Sequence, residues 1–487
     1  MFDLLFRNVR VVQPHRGQTV QADIGVSGGT VVAVEAGLEA GPDTEVVDGG
    51  GKLAFPGAVD AHQHWGIYNP LAEDTATESR AAAQGGVTTG ITYMRTGQYY
   101  LNKGGPYAEF FPQVLAEADG RAYVDYGFHL APMMNAHIDE LGMLVDDFGV
   151  ASFKIFMFYG SHGLHGRSTE QSSFLMTPPG ESYDYAHFEF VMRGLQKVRE
   201  ERPELADRLS LSLHCETAEI MAAYTKLVEG DDSLTGLRAY HESRPPHSEG
   251  LAITIASYLA HETGLANINL LHLSSAKAME AAMTMATAFP HVNFRREVTI
   301  GHLLTDVDST TIGAKVNPPI RPREDVEALW EHVLAGNVDW VVSDHACCRE
   351  EMKFGDDPDD VFLAKSGFGG TEYLLPGLLS EGTKRGLSPD AVAKLISWNP
   401  AQRYGFGAKG TIDVGYDADV VLVDPDRSWT VRAADSESTQ EYTPFEGTEL
   451  TAAVTDVWLR GQQILTDGTV VDAPSGRYIR RPSTPVS

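Results

Sequence analysis

Residues 53–64 read LAFPGAVDAHQH, an apolar run that predicts a β-strand. Successive side chains of a strand point to opposite faces, so Asp60, His62 and His64 share one face and the two imidazoles converge on one point. This spacing suits a metal ion, although two half-buried strand histidines would give the same pattern. The segments further along the chain favour the metal site.

Seven more apolar runs follow, alternating with helix-length amphipathic segments. The predicted helices include residues 110–119, 249–263 and 276–288. Such alternation is typical of repeated β-α units with a parallel sheet, and eight units predict a closed (β/α)8 TIM barrel of the α/β class. The seven further strand candidates are residues 86–94, 123–131, 150–158, 209–215, 267–273, 291–298 and 338–344.

The two ends of the chain differ from this middle part. Short β-rich runs separated by Gly, Pro and Asp occupy the first 53 residues, and similar runs return in DADVVLVD and in AAVTDVWLRGQQILTDGTVV near the other end. We therefore predict one small, discontinuous β-sandwich domain from residues 1–54 and 406–487. Residues 55–405 are then the barrel.

Four further ligand-type residues lie at or near the carboxyl ends of other predicted strands: Lys154, His214, His272 and Asp344. In barrels of this kind that end carries the active site. Each residue alone is explained as well by a hydrogen-bonded or capping side chain. Together with His62 and His64 they are hard to explain as independent coincidences.

Lys154 stands inside the apolar strand SFKIFMF, where a charged ammonium would suffer a large desolvation cost. Reaction of the neutral amine with carbon dioxide gives an anionic carbamate, whose two oxygens can bridge two cations. The alternative is a lysine that extends to solvent or forms a salt bridge.

Composition excludes several classes of partner. The formal charge of -29 would repel nucleic acid and anionic lipid, so we expect neither as a partner. No run of about 18 apolar residues predicts a membrane span, and the first residues lack a signal-peptide pattern. Three cysteines without C-x-x-C spacing fit a reducing compartment, and we predict a cytoplasmic protein.

The whole chain resembles the dihydropyrimidinase and hydantoinase branch of the amidohydrolase superfamily, which is related to allantoinase and dihydroorotase. The motifs that carry the resemblance occur in the family's order and are highly specific as a set. They are FPGAVDAHQH, GGVTT, SFKIFMFY, LHCE, LLHLSS, KVNPPIR, VVSDHACC, GFGGTEYLLPGLL, NPAQRYG and GTIDVGYDADVVLVDP.

The resemblance implies hydrolysis of a cyclic amide by two divalent ions, usually zinc. His62 and His64 would bind one ion together with Asp344, His214 and His272 would bind the second, and carboxylated Lys154 would bridge the pair. Imidazole and carboxylate suit zinc, and two ions lower the pKa of a bridging water and polarise a carbonyl. Asp344 would move the proton from the attacking hydroxide to the departing ring nitrogen.

Three residues match positions that contact the substrate in the family. Tyr159 would hydrogen-bond the substrate carbonyl and the developing oxyanion. Asn317 stands where hydantoinases commonly have a serine whose main chain contacts the ring. Ser366 replaces a family asparagine, which leaves ring recognition on that side open.

The substrate class follows from what surrounds the predicted ligands. Trp65, Gly66 and Ile67 follow His64, whereas dihydroorotases have an arginine there that clamps a carboxylate. With Phe158 and Tyr159, Trp65 would give an aromatic lining that favours a neutral hydantoin, dihydropyrimidine or similar ring. Allantoinase is the first alternative, dihydroorotase the second and a non-catalytic scaffold the third.

The segment 160–184, GSHGLHGRSTEQSSFLMTPPGESYD, is too long and too rich in Ser, Gly and Pro for an ordinary turn. Because it leaves the Lys154 strand at the catalytic end, we predict a lid. The family resemblance also implies a homodimer or homotetramer.

Overall fold

A computed structural model describes residues 2–160, 163–164, 171–354, 357–483 and 486. The first strands of the chain are formed by valine-rich runs that are separated by turns. Gly28 and Gly29, both in the left-handed region at φ 58° and 79°, form the two-residue turn between the second and third strands. These strands are β1 (Leu4–Gln13), β2 (Gln18–Ser27), β3 (Thr30–Glu35), β4 (Glu45–Asp48) and β5 (Leu53–Pro56).

Eight parallel strands follow and form the predicted barrel in sequence order. A bridge between Gln63 and His345 joins the last strand to the first, and the His64 amide donates to the His345 carbonyl at 2.7 Å. The strands are β6 (Ala58–Gln63), β7 (Val87–Met94), β8 (Asp125–Leu130), β9 (Ser152–Phe156), β10 (Ser210–His214), β11 (Asn267–Leu270), β12 (Asn293–Thr299) and β13 (Trp340–Val342).

The run 53–64, predicted as one strand, is divided at Gly57. Residues 58–63 enter the barrel, whereas residues 53–56 form β5 and belong to the second sheet. A Cβ atom at Gly57 would overlap the side chain of Thr88, so the chain crosses between the two sheets where it has no side chain.

Helices fill the connections between the barrel strands, and the three predicted ones are all present. Ser275 caps the ninth helix by accepting from the Ala278 amide. The helices are α1 (Leu71–Gln84), α2 (Tyr107–Ala118), α3 (Asn135–Phe148), α4 (Gln171–Leu175), α5 (Tyr185–Glu201), α6 (Ala218–Val228), α7 (Gly236–Ser243), α8 (Pro246–Thr263), α9 (Ala276–Ala288), α10 (Ile300–Leu304), α11 (Arg323–Leu334), α12 (Glu350–Lys353), α13 (Leu374–Lys384), α14 (Pro389–Ala393) and α15 (Asn399–Tyr404).

The last strands return to the beginning of the chain. Strand β14 pairs antiparallel with β5, so both termini build one sheet in the order β19-β18-β17-β14-β5-β1-β2-β3, with β4 beside β1. The strands of this part are β14 (Val420–Asp424), β15 (Trp429–Thr430), β16 (Glu449–Leu450), β17 (Ala453–Leu459), β18 (Gln462–Thr466) and β19 (Thr469–Val470), of which β15 and β16 pair with each other in a separate two-stranded sheet. The predicted domain boundary after residue 54 falls within β5.

Among the helices of the described residues, none is both long and apolar enough to cross a membrane.

Candidate metal centre and active site

The six predicted metal ligands lie together at the carboxyl end of the barrel. Each follows from its place at the end of a parallel strand or just beyond it, and each side chain is at least nine-tenths buried. They are His62 at the end of β6, His64 just after it, Lys154 in β9, His214 closing β10, His272 after β11 and Asp344 after β13.

His62, His64 and Asp344 point their ligand atoms at a common point. Asp344 Oδ1 lies 3.1 Å from His62 Nε2 and 3.3 Å from His64 Nε2, and the two nitrogens are 3.3 Å apart. The three residues could hold one metal ion. Burial acts to raise the pKa of Asp344, but a hydrogen bond with His64 and nearby positive charge hold it below its ordinary value.

Lys154 joins this group from β9. Its Nζ lies 3.0 Å from His62 Nε2, 3.8 Å from the Tyr93 ring and 4.3 Å from the Phe156 ring. Burial lowers the pKa of Lys154 to about 7, against the opposing effect of Asp344 and Glu297. A substantial fraction of the amine is therefore neutral near pH 7.

His214 and His272 form the other half of the cluster, with ring centroids 4.3 Å apart. His272 is 1% exposed, and within the described residues neither of its ring nitrogens has a hydrogen-bond partner. A buried imidazole without partners is costly. Coordination of a metal ion would satisfy one of the two nitrogens, so the donor set fits metal binding.

Two ligands adopt unusual backbone conformations. His272 has φ 34° and Asp344 has φ 56°, both in the left-handed region that residues other than glycine rarely adopt. Such conformations cluster at functional sites, where the surrounding structure holds them.

Hydrogen bonds select the nitrogen with which each histidine would face a metal. His62 Nδ1 pairs with Glu297 Oε1 at 2.7 Å, and His64 Nδ1 pairs with the Tyr100 hydroxyl at 2.6 Å, so both keep Nε2 for the site. His214 has the reverse arrangement, because its Nε2 pairs with Glu216 Oε2 at 2.6 Å. Its Nδ1 is then the nitrogen available for the site.

Sequence reasoning missed these supporting residues. Glu297 in β12 also accepts from the His272 amide at 3.2 Å and from Trp340 Nε1 at 2.8 Å, and burial raises its pKa to about 8. A charged residue in a barrel strand was the available signal for it. For Glu216 the signal was the LHCE motif, in which the acid follows the ligand by two residues.

A small cavity opens beside the cluster, and its wall includes the three predicted substrate residues Tyr159, Asn317 and Ser366. Both polar groups of the Asn317 side chain form hydrogen bonds. Its Oδ1 accepts from the Tyr240 hydroxyl at 2.5 Å and from Arg244, and its Nδ2 donates to the Leu164 carbonyl at 2.8 Å. This arrangement favours main-chain contacts to a substrate on that side.

Tyr159 lies among aromatic rings, stacked on Phe156 at 4.8 Å and 5.2 Å from the Phe174 ring. Burial raises the pKa of Tyr159, so its hydroxyl stays a neutral donor. Phe158 also lines the cavity, but Trp65 does not, and the prediction that Trp65 contributes to the lining is wrong. It is fully buried and packs 6.1 Å from the Tyr126 ring.

In the described part of the chain, the arginines near the cavity lie behind its wall and none of them lines it. Arg321 of the KVNPPIR motif pairs with Glu249 at 2.7 Å and donates to Ser274 at 2.8 Å. It is 1% exposed, so it is not positioned to clamp a substrate carboxylate.

The predicted lid is described only in part. Leu164 lines the cavity, and α4 places Phe174 against Tyr159. Residues 161–162 and 165–170 lie outside the described part of the chain, so the lid stays a prediction.

Comparisons with known proteins identify a family model and several relatives that this chain resembles. Residues 209–464 match the amidohydrolase family model. The chain is 36% identical to an allantoinase of Rubrobacter xylanophilus over 98% of each chain, and 30% identical to one of Desulfitobacterium hafniense over 98% of this chain and 99% of that one. The solved L-hydantoinase (dihydropyrimidinase) of Arthrobacter aurescens superimposes with a TM-score of 0.84 at 26% identity, covering 99% of this chain and 100% of that chain.

Proposed function

The chain belongs to the amidohydrolase family and is an enzyme that hydrolyses cyclic amides, and from this premise we propose that it opens the ring of a neutral cyclic ureide, first of all allantoin. The observation that carries the proposal is the cluster of six ligand-type side chains, five of which line a small cavity. Among the described residues, no Lys or Arg side chain except Lys154 lines that cavity.

The residues would hold two divalent ions, which we propose to be zinc. His62, His64 and Asp344 form one set, His214 and His272 the other, and Lys154 lies beside His62. Bound there, the ions would lower the pKa of a water molecule and polarise the substrate carbonyl.

Lys154 would contribute as a carbamate. Its neutral Nζ attacks the carbon of CO2, the nitrogen loses a proton to solvent, and the product carries a carboxylate at the end of the side chain. The lowered pKa of Lys154 supports this step, because only the unprotonated amine is nucleophilic. The resulting anion also removes the problem of a buried cation in an apolar strand.

Asp344 is the proposed proton carrier. Its lowered pKa keeps the carboxylate ionised at neutral pH, as a base must be. It takes the proton from the attacking water and delivers it to the ring nitrogen as the amide bond breaks. Without that proton the nitrogen is a poor leaving group.

Tyr159 would orient the reacting carbonyl. Its buried hydroxyl remains protonated and lies in the cavity wall near the ligand cluster, where it would donate to the oxygen that gains negative charge. Main-chain groups next to Asn317 and Ser366 would hold the ring from the other side.

Two observations order the candidate substrates. The relatives named allantoinase are 30% and 36% identical over nearly the full length, which favours allantoin. The likeness to solved hydantoinases and the aromatic lining from Phe158 and Tyr159 support a hydantoin or dihydropyrimidine as the second candidate.

Dihydroorotate is disfavoured because its carboxylate would need a cationic partner, and Arg321 is already paired with Glu249. Leaving a carboxylate buried and unpaired costs several kcal/mol, on the order of a thousandfold in rate.

The experiment is a comparison of kcat/KM for allantoin, hydantoin, 5-substituted hydantoins, dihydrouracil, succinimide and dihydroorotate with zinc-loaded protein. We expect allantoin to lead and dihydroorotate to be hydrolysed at least a hundredfold more slowly. A clear preference for dihydrouracil or a hydantoin would transfer the assignment to the second candidate. Dihydroorotate as the best substrate would overturn the proposal.

A further inference from the structure

Arg244 lies between α7 and α8, is 4% exposed, and has no role in the chemistry described above. Its guanidinium reaches in three directions. Nε lies 3.2 Å from Glu216 Oε1, Nη1 donates to the Tyr240 hydroxyl at 2.8 Å and to Asn317 Oδ1, and Nη2 approaches Met221 Sδ at 3.7 Å. One buried cation therefore contacts two different parts of the site.

The first direction leads to the metal ligands. The carboxylate of Glu216, 1% exposed, accepts from His214 Nε2 on one oxygen and faces Arg244 on the other. The positive charge of Arg244 beside Oε1 orients the carboxylate, and the carboxylate in turn fixes the His214 ring through Nε2. Arg244 thus acts on His214 through Glu216.

The second direction leads to the cavity wall. Arg244 and Tyr240 both donate to Asn317 Oδ1, and the Asn317 amide in turn donates to the Leu164 carbonyl. The Tyr240 hydroxyl also lies 3.5 Å from Ser366 Oγ. The guanidinium of Arg244 therefore fixes the relative positions of the side chains that form this wall.

The main chain of Arg244 is itself fixed. Arg321 Nη1 donates to the Arg244 carbonyl at 2.6 Å, and Arg321 is held by its ion pair with Glu249. The guanidinium starts from an anchored backbone, so its position is determined before substrate arrives.

We propose that Arg244 is a positioning residue that couples the His214 ligand to the substrate-binding wall, so that metal retention and ring recognition depend on one side chain. The coupling to ring recognition rests on the proposed function, whereas the coupling to the metal does not. A planar fork is needed, because a lysine ammonium is a single point that does not span Glu216 and Asn317 together.

The test compares Arg244→Met, Arg244→Lys and Glu216→Gln with Arg403→Met as the matched control. Arg403 is also a buried arginine, 6% exposed, but it bonds Asn269 and main-chain carbonyls at the amino end of the barrel strands. Two quantities are measured: zinc release to a chromophoric chelator, which requires no turnover, and KM for the best ring of the substrate panel in zinc-saturated buffer.

We expect Arg244→Met to release one of two zinc ions about 10 to 100 times more readily and to raise KM by a similar factor. Glu216→Gln should reproduce the zinc release with KM close to wild type, and combining the two should add nothing further to the release. Arg244→Lys should fail to restore both properties together. Arg403→Met should change thermal stability alone.

If Arg244→Met has the same zinc release and KM as Arg403→Met, the proposal is overturned and Arg244 is only a structural ion pair. Additive release in the double variant would overturn the route through Glu216. If Arg244→Met does not fold, Glu216→Gln and Arg244→Lys decide, and wild-type zinc release in both contradicts the proposal. A wild-type protein that opens no ring refutes the proposed function, while the zinc measurement still tests Arg244.

Discussion

Replacing Glu297 by glutamine perturbs the buried carboxylate that holds two of the ligands. Three donors converge on its two oxygens, because the His62 ring and the His272 amide share Oε1 while the Trp340 indole donates to Oε2. Glutamine has one oxygen. If that oxygen keeps the hydrogen bonds from His62 and His272, the NH2 group of the glutamine faces the indole N–H of Trp340. The indole N–H is then buried without an acceptor, at a cost of about 1–3 kcal/mol.

We therefore expect Glu297→Gln to lower the free energy of unfolding by about 1–3 kcal/mol and to weaken zinc retention about tenfold. Urea unfolding in zinc-saturated buffer measures the first quantity. Trp340→Phe provides the matched control, because phenylalanine removes the donor that glutamine leaves unpaired. The double variant should be more stable than the sum of the single losses predicts, by about 1 kcal/mol. Additive losses would refute the assignment of the two oxygens.

Asp344→Asn should lower kcat by about 10²-fold to 10⁴-fold while circular dichroism stays native, since it removes the proton carrier, and near-normal turnover would mean that another residue moves the proton. Tyr159→Phe should lower kcat by about 10²-fold with little change in KM, and a change confined to KM would reduce the tyrosine to a packing role. Lys154, with its pKa lowered to about 7, binds fewer protons in the metal-free fold than in the unfolded chain. Metal-free protein should thus gain stability from about pH 8, above the opposing titration of Glu297, to about pH 10. Lys154→Met should reduce that rise in thermal unfolding but not abolish it, because burial also lowers the pKa of Lys353 to about 7.

The barrel was predictable because its information is local. Apolar runs at regular intervals locate the strands, and a polar residue at the carboxyl end of each strand identifies a candidate ligand. His62, Lys154 and His214 were found in this way. The split of residues 53–64 was not, because both halves are apolar and only the close approach of Thr88 to Gly57 separates them.

The residues that support the ligands could not be predicted from local sequence patterns. Glu297, Glu216 and Arg244 matter through contacts with residues distant in the chain, for example the 235 positions between Glu297 and His62. Periodicity describes one element at a time and carries no record of such contacts. The assignment of Trp65 to the cavity lining was wrong. The alternation of side chains along a strand already argued against it, because a residue next to His64 points to the opposite face.

The most direct test of metal-dependent ring opening is metal analysis joined to activity. Zinc is removed with a chelator, the metal-free protein is assayed on the best ring of the panel, and zinc is added back in the presence of bicarbonate. We expect about two zinc ions per chain, loss of activity in the metal-free protein, and recovery that saturates near two equivalents. Lys154→Ala should neither retain the metal nor recover activity. A metal-free protein with full activity would contradict metal-dependent ring opening.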